Sequence, residues 1–458
     1  MKSLELKPTY ENLLNALLDD TIGRNRDVCA FANIINSISE PCTIGLDGNW
    51  GSGKTFFVKQ TKMLLDAHNP FIKSLNDVDR EAIKKACAKK KPIDFEPQVS
   101  VYYDAWENDN DSEPILSLIY SIVKSTDIDF TFSNNTTFLQ KAASILEFFT
   151  DKNWKDIIDS FKGNSPFENI KKQKDIQIEI KEFLDALLPE RGNRLVVFID
   201  ELDRCKPSYA VKLLERIKHY FDNDRITFVF SINALELQHT IKKHYGEDFD
   251  ACRYLDRFFD MRITIPKLDL QKYYNSINFN HTGYTFDVTC HKIIEMYHFS
   301  IREIAKFITL TKIAAFKPSH SGYNFSFSDG RAFQISLLFV VPLLIGMNIY
   351  NRNLYEEFIK GRNSTPLTEL FKTESPHGLK MLLNNNETFD PNDSQKTLVT
   401  LEDKMTQIYN ALFVEDFIDT YEIEIGECSF SKDTKNTLFS IVSLLSDYAD
   451  WYPEDNQK

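Results

Sequence analysis

Two stretches decide the fold: Thr43-Ile44-Gly45-Leu46-Asp47-Gly48-Asn49-Trp50-Gly51-Ser52-Gly53-Lys54-Thr55 and, further along, Leu195-Val196-Val197-Phe198-Ile199-Asp200-Glu201. In the first, a short β-rich run ends in a loop that fits G-x-x-x-x-G-K-[ST] without substitution, and a helix-compatible segment follows. Small residues let the backbone curl so that successive N–H groups point inward at anionic oxygens, at the positive end of a helix dipole. Gly48, Asn49, Trp50, Gly51, Ser52, Gly53, Lys54 and Thr55 are therefore candidate nucleotide-binding residues. The Lys54 ammonium is expected on the β and γ phosphates and the Thr55 hydroxyl on Mg²⁺. A glycine-rich structural turn is the competing reading. A strand before, a helix after and an acidic partner downstream weigh against it.

The second stretch is continuously apolar, as a central strand buried on both faces must be, and it stops at two acids. Successive strand residues point in different directions, so one carboxylate can serve metal and the other water. Asp200 is the expected Mg²⁺ partner, acting through water, and Glu201 is placed to polarise the attacking water in phosphoryl transfer. An adjacent glutamate favours hydrolysis over transfer to a small acceptor. Two solvated acids at an ordinary strand end are the bland account, which would win without the phosphate loop.

Working outward, β-rich runs occur at 42–47, 99–103, 195–199, 226–231 and 261–265, each followed by a helix-compatible stretch. That alternation predicts an α/β fold, a parallel five-stranded sheet flanked by helices. Pro207 stands in the first turn of the helix after the third strand, where its missing N–H costs nothing; Val211, Leu214, Ile217, Lys218 and Phe221 follow at helical spacing. Residues 126–194 read as a helical insertion. Beyond Pro266 the β pattern fades, 284–315 and 333–360 look helical, and 318–330 and 384–394 are polar loops. The expected domains are 1–266, a nucleotide domain, and 267–458, an α-helical C-terminal domain.

The chain has 458 residues and a formal net charge of −13, which argues against a broad basic surface for nucleic acid. A lysine cluster, Lys84, Lys85, Lys89, Lys90 and Lys91, reads mainly as a solvated helix end. Seven cysteines, Cys29, Cys42, Cys87, Cys205, Cys252, Cys290 and Cys428, are odd in number and never paired as C-x-x-C, a pattern of reduced thiols in a cytoplasmic protein. The most apolar run, 335–347, falls short of the roughly 18 to 20 residues that cross a bilayer and reads as a buried helix.

Four further residues are candidates. Asn233, just past the fourth strand, can sense a γ phosphate or the lytic water, or simply cap a helix. Arg253 and Arg257 lie four apart before the fifth strand, where Arg257 can act as a charge-stabilising finger toward a neighbouring subunit. Ion pairing with Asp250, Asp256 or Asp260 is the alternative. Arg302, in Ser300-Ile301-Arg302-Glu303, can reach the phosphates from the helical domain.

Taken together, 43–55, Val101-Tyr102-Tyr103-Asp104-Ala105-Trp106-Glu107-Asn108, Val197-Phe198-Ile199-Asp200-Glu201-Leu202-Asp203-Arg204-Cys205 and Tyr254-Leu255-Asp256-Arg257 resemble the KAP family of P-loop NTPases, related to AAA+ and STAND ATPases. The resemblance spans about 23–266, with a weaker echo at 300–307. It implies ATP as nucleotide, Asp200 and Glu201 in the roles above, and a helical lid after the sheet. Asp104 stands where the family usually has Asn, and Asn233 where an acid is common. With no transmembrane helix within 126–194, the chain is similar to the soluble bacterial branch, whose relatives are often encoded beside other proteins in anti-phage defence. The resemblance thus implies an ATPase switch that assembles or gates a partner effector, as a homo-oligomer or with proteins of the same operon. A nucleotide-binding scaffold with negligible turnover, and an AAA-like ATPase acting on DNA, stand as alternatives.

Overall fold

A computed structural model describes residues 6–87, 95–126, 166–221, 223–279, 285–315, 331–372 and 401–414, with short stretches within 137–145, 387–398 and 422–442. The chain divides into two compact units, 6–276 and 277–458.

The first unit opens with helices α1 (Tyr10–Asp19) and α2 (Asn25–Ser37). An alternation follows: β1 (Cys42–Asp47), α3 (Lys54–His68), α4 (Asp77–Cys87), β2 (Gln98–Asp104), α5 (Pro114–Lys124), α6 (Pro166–Arg191), β3 (Arg194–Asp200), α7 (Pro207–Tyr220), β4 (Ile226–Ile232), α8 (Ala234–Tyr245), α9 (Ala251–Asp256), β5 (Met261–Thr264) and α10 (Leu270–Ser276). The five strands form one parallel sheet in the order β2-β3-β4-β1-β5. The five expected strands are all present, shifted by at most one residue at an end.

Every residue of β3 and β4 is buried, which explains their uninterrupted apolar reading. Leu195, Val197 and Ile199 join one core with Leu118 and Ile122 of α5, Phe183 and Leu187 of α6, and Leu213 and Leu214 of α7. By the two-residue period, Val196 and Phe198 point to the opposite face, where α3 packs across the sheet. In α7, Pro207 occupies the first turn, Val211, Leu214 and Ile217 face the core, and Lys218 faces solvent, donating to the Arg257 carbonyl at 3.1 Å. Buried Glu113, just before α5, is clamped from α7 by Lys212 at 3.0 Å and Arg216 at 3.2 Å.

The cysteines depart from expectation. Cys29 of α2 and Cys87 at the end of α4 form a disulfide with a Cα–Cα distance of 5.7 Å, and the other five cysteines stand outside it. The partners are 58 residues apart in sequence and meet only because α2 and α4 pack together, so spacing could not reveal the pair. Lys84 and Lys85 lie in the last turn of α4, as a solvated helix end requires; Lys89, Lys90 and Lys91 lie outside the described residues. So does much of the expected insertion at 126–194, whose described part is chiefly α6.

The second unit is mostly helical: α11 (Thr285–Met296), α12 (Ile301–Ala315), α13 (Arg331–Ile335), a π turn (Ser336–Val340), α14 (Val341–Tyr350), α15 (Arg352–Ile359), α16 (Thr365–Lys372) and α17 (Leu401–Phe413). The segment read as one helix over 284–315 is two, because a capping box starts α12: Ser300 N–H donates to Glu303 at 2.8 Å and Glu303 N–H to Ser300 Oγ at 3.5 Å. The apolar run 335–347 is buried within the π turn and α14, and no helix among the described residues is long and apolar enough to cross a membrane. Two antiparallel strand pairs, Glu387–Thr388 with Thr397–Leu398 and Glu422–Ile425 with Cys428–Ser431, were not expected. With four residues or fewer per strand they carry too little periodicity to read.

Phe198 is fully buried at the centre of the sheet. Phe198→Ala should therefore lower stability by about 3–5 kcal/mol, visible as an earlier midpoint in chemical unfolding followed by circular dichroism. A surface replacement such as Lys218→Ala should leave the midpoint nearly unchanged.

Candidate functional site

All five strands of a parallel sheet end at the same edge, and the phosphate loop and the Asp200–Glu201 pair both lie there. β1 runs directly into the phosphate loop. Gly48 N–H donates to the Ile232 carbonyl of β4 at 3.1 Å, so the loop starts as a continuation of the β1–β4 ladder. A Cβ on Gly48 would stand 2.4 Å from Ile265 Cγ2 and 2.9 Å from Ser52 Oγ, too close for any side chain. Gly53 closes the loop at φ +85°, a left-handed conformation that lets α3 begin at Lys54.

The Lys54 ammonium is buried and donates to the carbonyls of Gly48 at 2.6 Å and Asn49 at 3.2 Å. Burial lowers its pKa, while Asp203, Asp200 and Glu201 pull in the other direction, so the cation is held among the acids of the β3 end. Thr55 follows in the first turn of α3. Trp50, half-exposed, donates its indole N–H to Asp203 at 2.6 Å and thereby ties the phosphate loop to the turn after β3.

At the end of β3, Asp200 is buried and accepts from the Tyr102 hydroxyl at 3.0 Å and the Glu201 N–H at 3.1 Å. Glu201 leaves the strand line with φ +61°, in the left-handed region, where a side-chain-bearing residue costs about 1–2 kcal/mol. Burial, reinforced by Asp200 beside it, pushes the Glu201 carboxyl up to about 7 against the opposing pull of Arg204. Arg204 Nε lies 2.5 Å from Glu201 Oε2. Thr55, Asp200 and Glu201 offer hard oxygen donors of the kind Mg²⁺ takes, and the Ser52 hydroxyl is buried with no hydrogen-bond partner. Among the described residues no group of three or more His, Cys, Asp or Glu converges on a metal position. A cation here would therefore complete its shell with ligand oxygens and water, and the donor set fits that arrangement.

The remaining candidates separate. Asn233 caps α8, accepting from Glu236 N–H at 3.4 Å, which is the capping alternative weighed from sequence. Arg253 and Arg257 are both exposed. The acids that could have paired with them are engaged elsewhere: Asp250 accepts from Arg253 N–H, Asp256 pairs with Arg262 at 2.7 Å, and Asp260 accepts from Thr43 N–H. Arg302 lies in the first turn of α12, in the other unit.

Sequence reasoning missed Arg24. Its buried guanidinium donates to the Ser52 carbonyl at 2.9 Å and to the Pro266 carbonyl, bracing the phosphate loop against the segment after β5. Burial pulls its pKa down to about 10, still charged at neutral pH. It lies in no pattern that spacing exposes. Arg204 and Trp106 did stand inside quoted segments, but their pairing across two strand ends is a tertiary fact.

Residues 26–280 match the KAP family P-loop domain. The chain belongs to the KAP family. That match covers more than half of the chain and contains the whole sheet and phosphate loop, so this KAP protein is a P-loop NTPase with a nucleotide-binding site. It is also similar to an uncharacterized protein of Methanocaldococcus jannaschii, 45% identical over 51 residues, which are 11% of this chain and 26% of that protein. The chain thus spans about a quarter of that curated relative's length. Among solved structures it is similar to the ORC2 protein of Aeropyrum pernix, determined as ADPNP-ADP complexes, with 12% identity and a TM-score of 0.34 over 84% of this chain and 93% of that one.

The close approach at Gly48 yields a test of the nucleotide site. Gly48→Ala should weaken nucleotide binding at least about tenfold in a fluorescent-nucleotide titration while the circular dichroism stays native. Shortening the obstructing side chain in the same protein, with Ile265→Ala, should recover part of that loss.

Proposed function

We propose that this KAP protein is a Mg²⁺-dependent ATPase whose binding and hydrolysis cycle assembles or gates a partner effector. The observation that carries this reading is the meeting of Lys54, from the phosphate loop, with Asp200 and Glu201, from the end of β3, at one sheet edge. The loop N–H groups and the dipole of α3 bind the triphosphate, and Lys54 exchanges its loop carbonyls for β and γ oxygens. Thr55 and Asp200 hold the metal, with Tyr102 fixing the Asp200 carboxylate. Mg²⁺, when bound, neutralises charge developing on the phosphate oxygens. Glu201 accepts a proton from the attacking water; its raised pKa keeps it a stronger base than a solvated carboxylate. Asn233, the single residue between β4 and α8, stands at the same edge as the α8 cap, and Arg302 acts from the helical domain.

Residues 1–266 act in this reading as the ATPase domain, with its insertion at about 126–194, and 267–458 as the helical lid. Exposed Arg257, clear of its neighbouring acids, is the arginine supplied to a second subunit's nucleotide in a homo-oligomer. A cytoplasmic role in anti-phage defence, with effectors from the same operon, rests on kinship with the soluble bacterial branch. A scaffold that binds ATP with negligible turnover is the second reading, favoured by the base-restraining contact of Arg204 on Glu201. The acidic net charge of −13 disfavours action on DNA.

Mg²⁺-dependent phosphate release, measured over a range of protein concentrations, tests this. Lys54→Ala should lose ATP binding, whereas Glu201→Gln should keep binding and lose about 10²-fold or more of turnover. Turnover per subunit should rise with concentration and fall about 10³-fold in Arg257→Ala. ATP binding without turnover under every condition would favour the scaffold.

A further inference from the structure

Resting on the ATPase reading, a second group at the β3 end gains a role. The carboxylate that must accept the water's proton is held by its own turn: Arg204 Nε stands 2.5 Å from Glu201 Oε2, both side chains being mostly buried. The guanidinium charge lies against that oxygen as an ion pair without an aligned N–H, since Glu201 Oε2 is buried with no hydrogen-bond partner, and the bulk of the arginine stands where a water would approach it. The backbone keeps the two residues in register, since Arg204 N–H donates to the Glu201 carbonyl at 3.1 Å and Cys205 N–H to the Leu202 carbonyl at 3.3 Å.

Arg204 itself has a seat. Its guanidinium carbon lies 5.6 Å from the centre of the Trp106 ring, a cation–π distance. Trp106 follows β2, and its position is set by Ala105 N–H, which donates to the Asp200 carbonyl at 3.0 Å. The loop is stiffened further by Asp104, which accepts from Glu107 N–H at 3.0 Å and whose backbone carbonyl accepts from Asn108 at 2.7 Å. Trp106 is nevertheless 52% exposed, a large apolar ring left at the surface beside the site. The guanidinium of Arg204 lies over this ring.

We propose that Arg204, seated on Trp106, is a positioning residue that latches Glu201 in a restrained pose and must swing away before Glu201 can meet the attacking water. A planar guanidinium suits this use because it can pair with a carboxylate and lie against a ring at once, which a lysine cannot do equally well. The contact keeps some access to solvent and is therefore modest in strength, as a latch that ATP binding can open has to be.

Phosphate release at saturating MgATP by wild type, R204A, R204K and the double variant R204A/E201Q tests the latch, with ATP affinity measured for each. R204A should raise basal turnover about three- to tenfold at unchanged affinity, R204K should give a smaller rise, and the double variant should stay inactive. Where the wild type turns over, a fall, or no change, in R204A turnover at intact affinity would overturn the latch. A second readout is independent of turnover. With Trp50, Trp154 and Trp451 replaced by Phe, Trp106 emission should shift when MgATP binds, and the shift should vanish in R204A. No shift in a protein that demonstrably binds ATP rejects the latch. A shift without turnover in any variant retains the latch and counts instead against hydrolysis.

Discussion

One strand fixes the chemistry: β4 lies between β1, which carries the phosphate loop, and β3, which carries the acids. Two inter-strand spacings, about 9–10 Å, therefore separate the loop's root from Asp200. That gap is wide enough for a phosphoryl group and its surrounding oxygens, and too wide for Lys54 to be neutralised by direct pairing at its root. The lysine ammonium rests on the carbonyls of its own loop and feels Asp203, Asp200 and Glu201, all from the other strand's end, through space. Full burial of β3 and β4 makes the spacing rigid, because neither strand can slip by one residue without turning its apolar set to the wrong face.

Much of this was legible in the sequence, for identifiable reasons. Continuous apolar runs such as 195–199 can be satisfied only at the centre of a sheet covered on both faces, and the glycines at 48 and 53 mark positions where a side chain would clash or strain. Helix breaks were harder. The break before α12 depends on a reciprocal Ser300–Glu303 hydrogen-bond pair, and the π turn at 336–340 interrupts an apolar run without any change in composition. The Cys29–Cys87 bridge was invisible because it depends on two helices meeting in space, and odd cysteine counts do not exclude a single pair.

For the site, the residues proposed to meet phosphate or water were legible and those that shape them were not. Asn233 shows why. A residue at the first position after a strand has two polar ends, and the helix that follows uses its oxygen as a cap whether or not a ligand needs it. Sequence position places such a residue near the site and leaves its task open. Tyr102 is the reverse case: an aromatic on a buried strand reads as core, yet its hydroxyl reaches Asp200.

The phosphate loop raises a stricter accounting. If its N–H groups turn inward toward a ligand, its carbonyls turn outward and need donors from elsewhere. The structure supplies them one by one. Arg24 takes the Ser52 carbonyl, Lys54 takes those of Gly48 and Asn49, and Ile265 N–H takes that of Asp47 at the loop's root at 2.8 Å. Of these donors only Lys54 belongs to the motif, and it is the one that a ligand's phosphates can draw away. Once it leaves, the loop's outward face rests on the Ser52 N–H, which donates to the Asn49 carbonyl at 3.1 Å, and on Arg24, a buried cation that at the same time donates to the Pro266 carbonyl after β5. The shape of the phosphate site is thus maintained from both ends of the nucleotide domain, by residues that never need to touch the nucleotide.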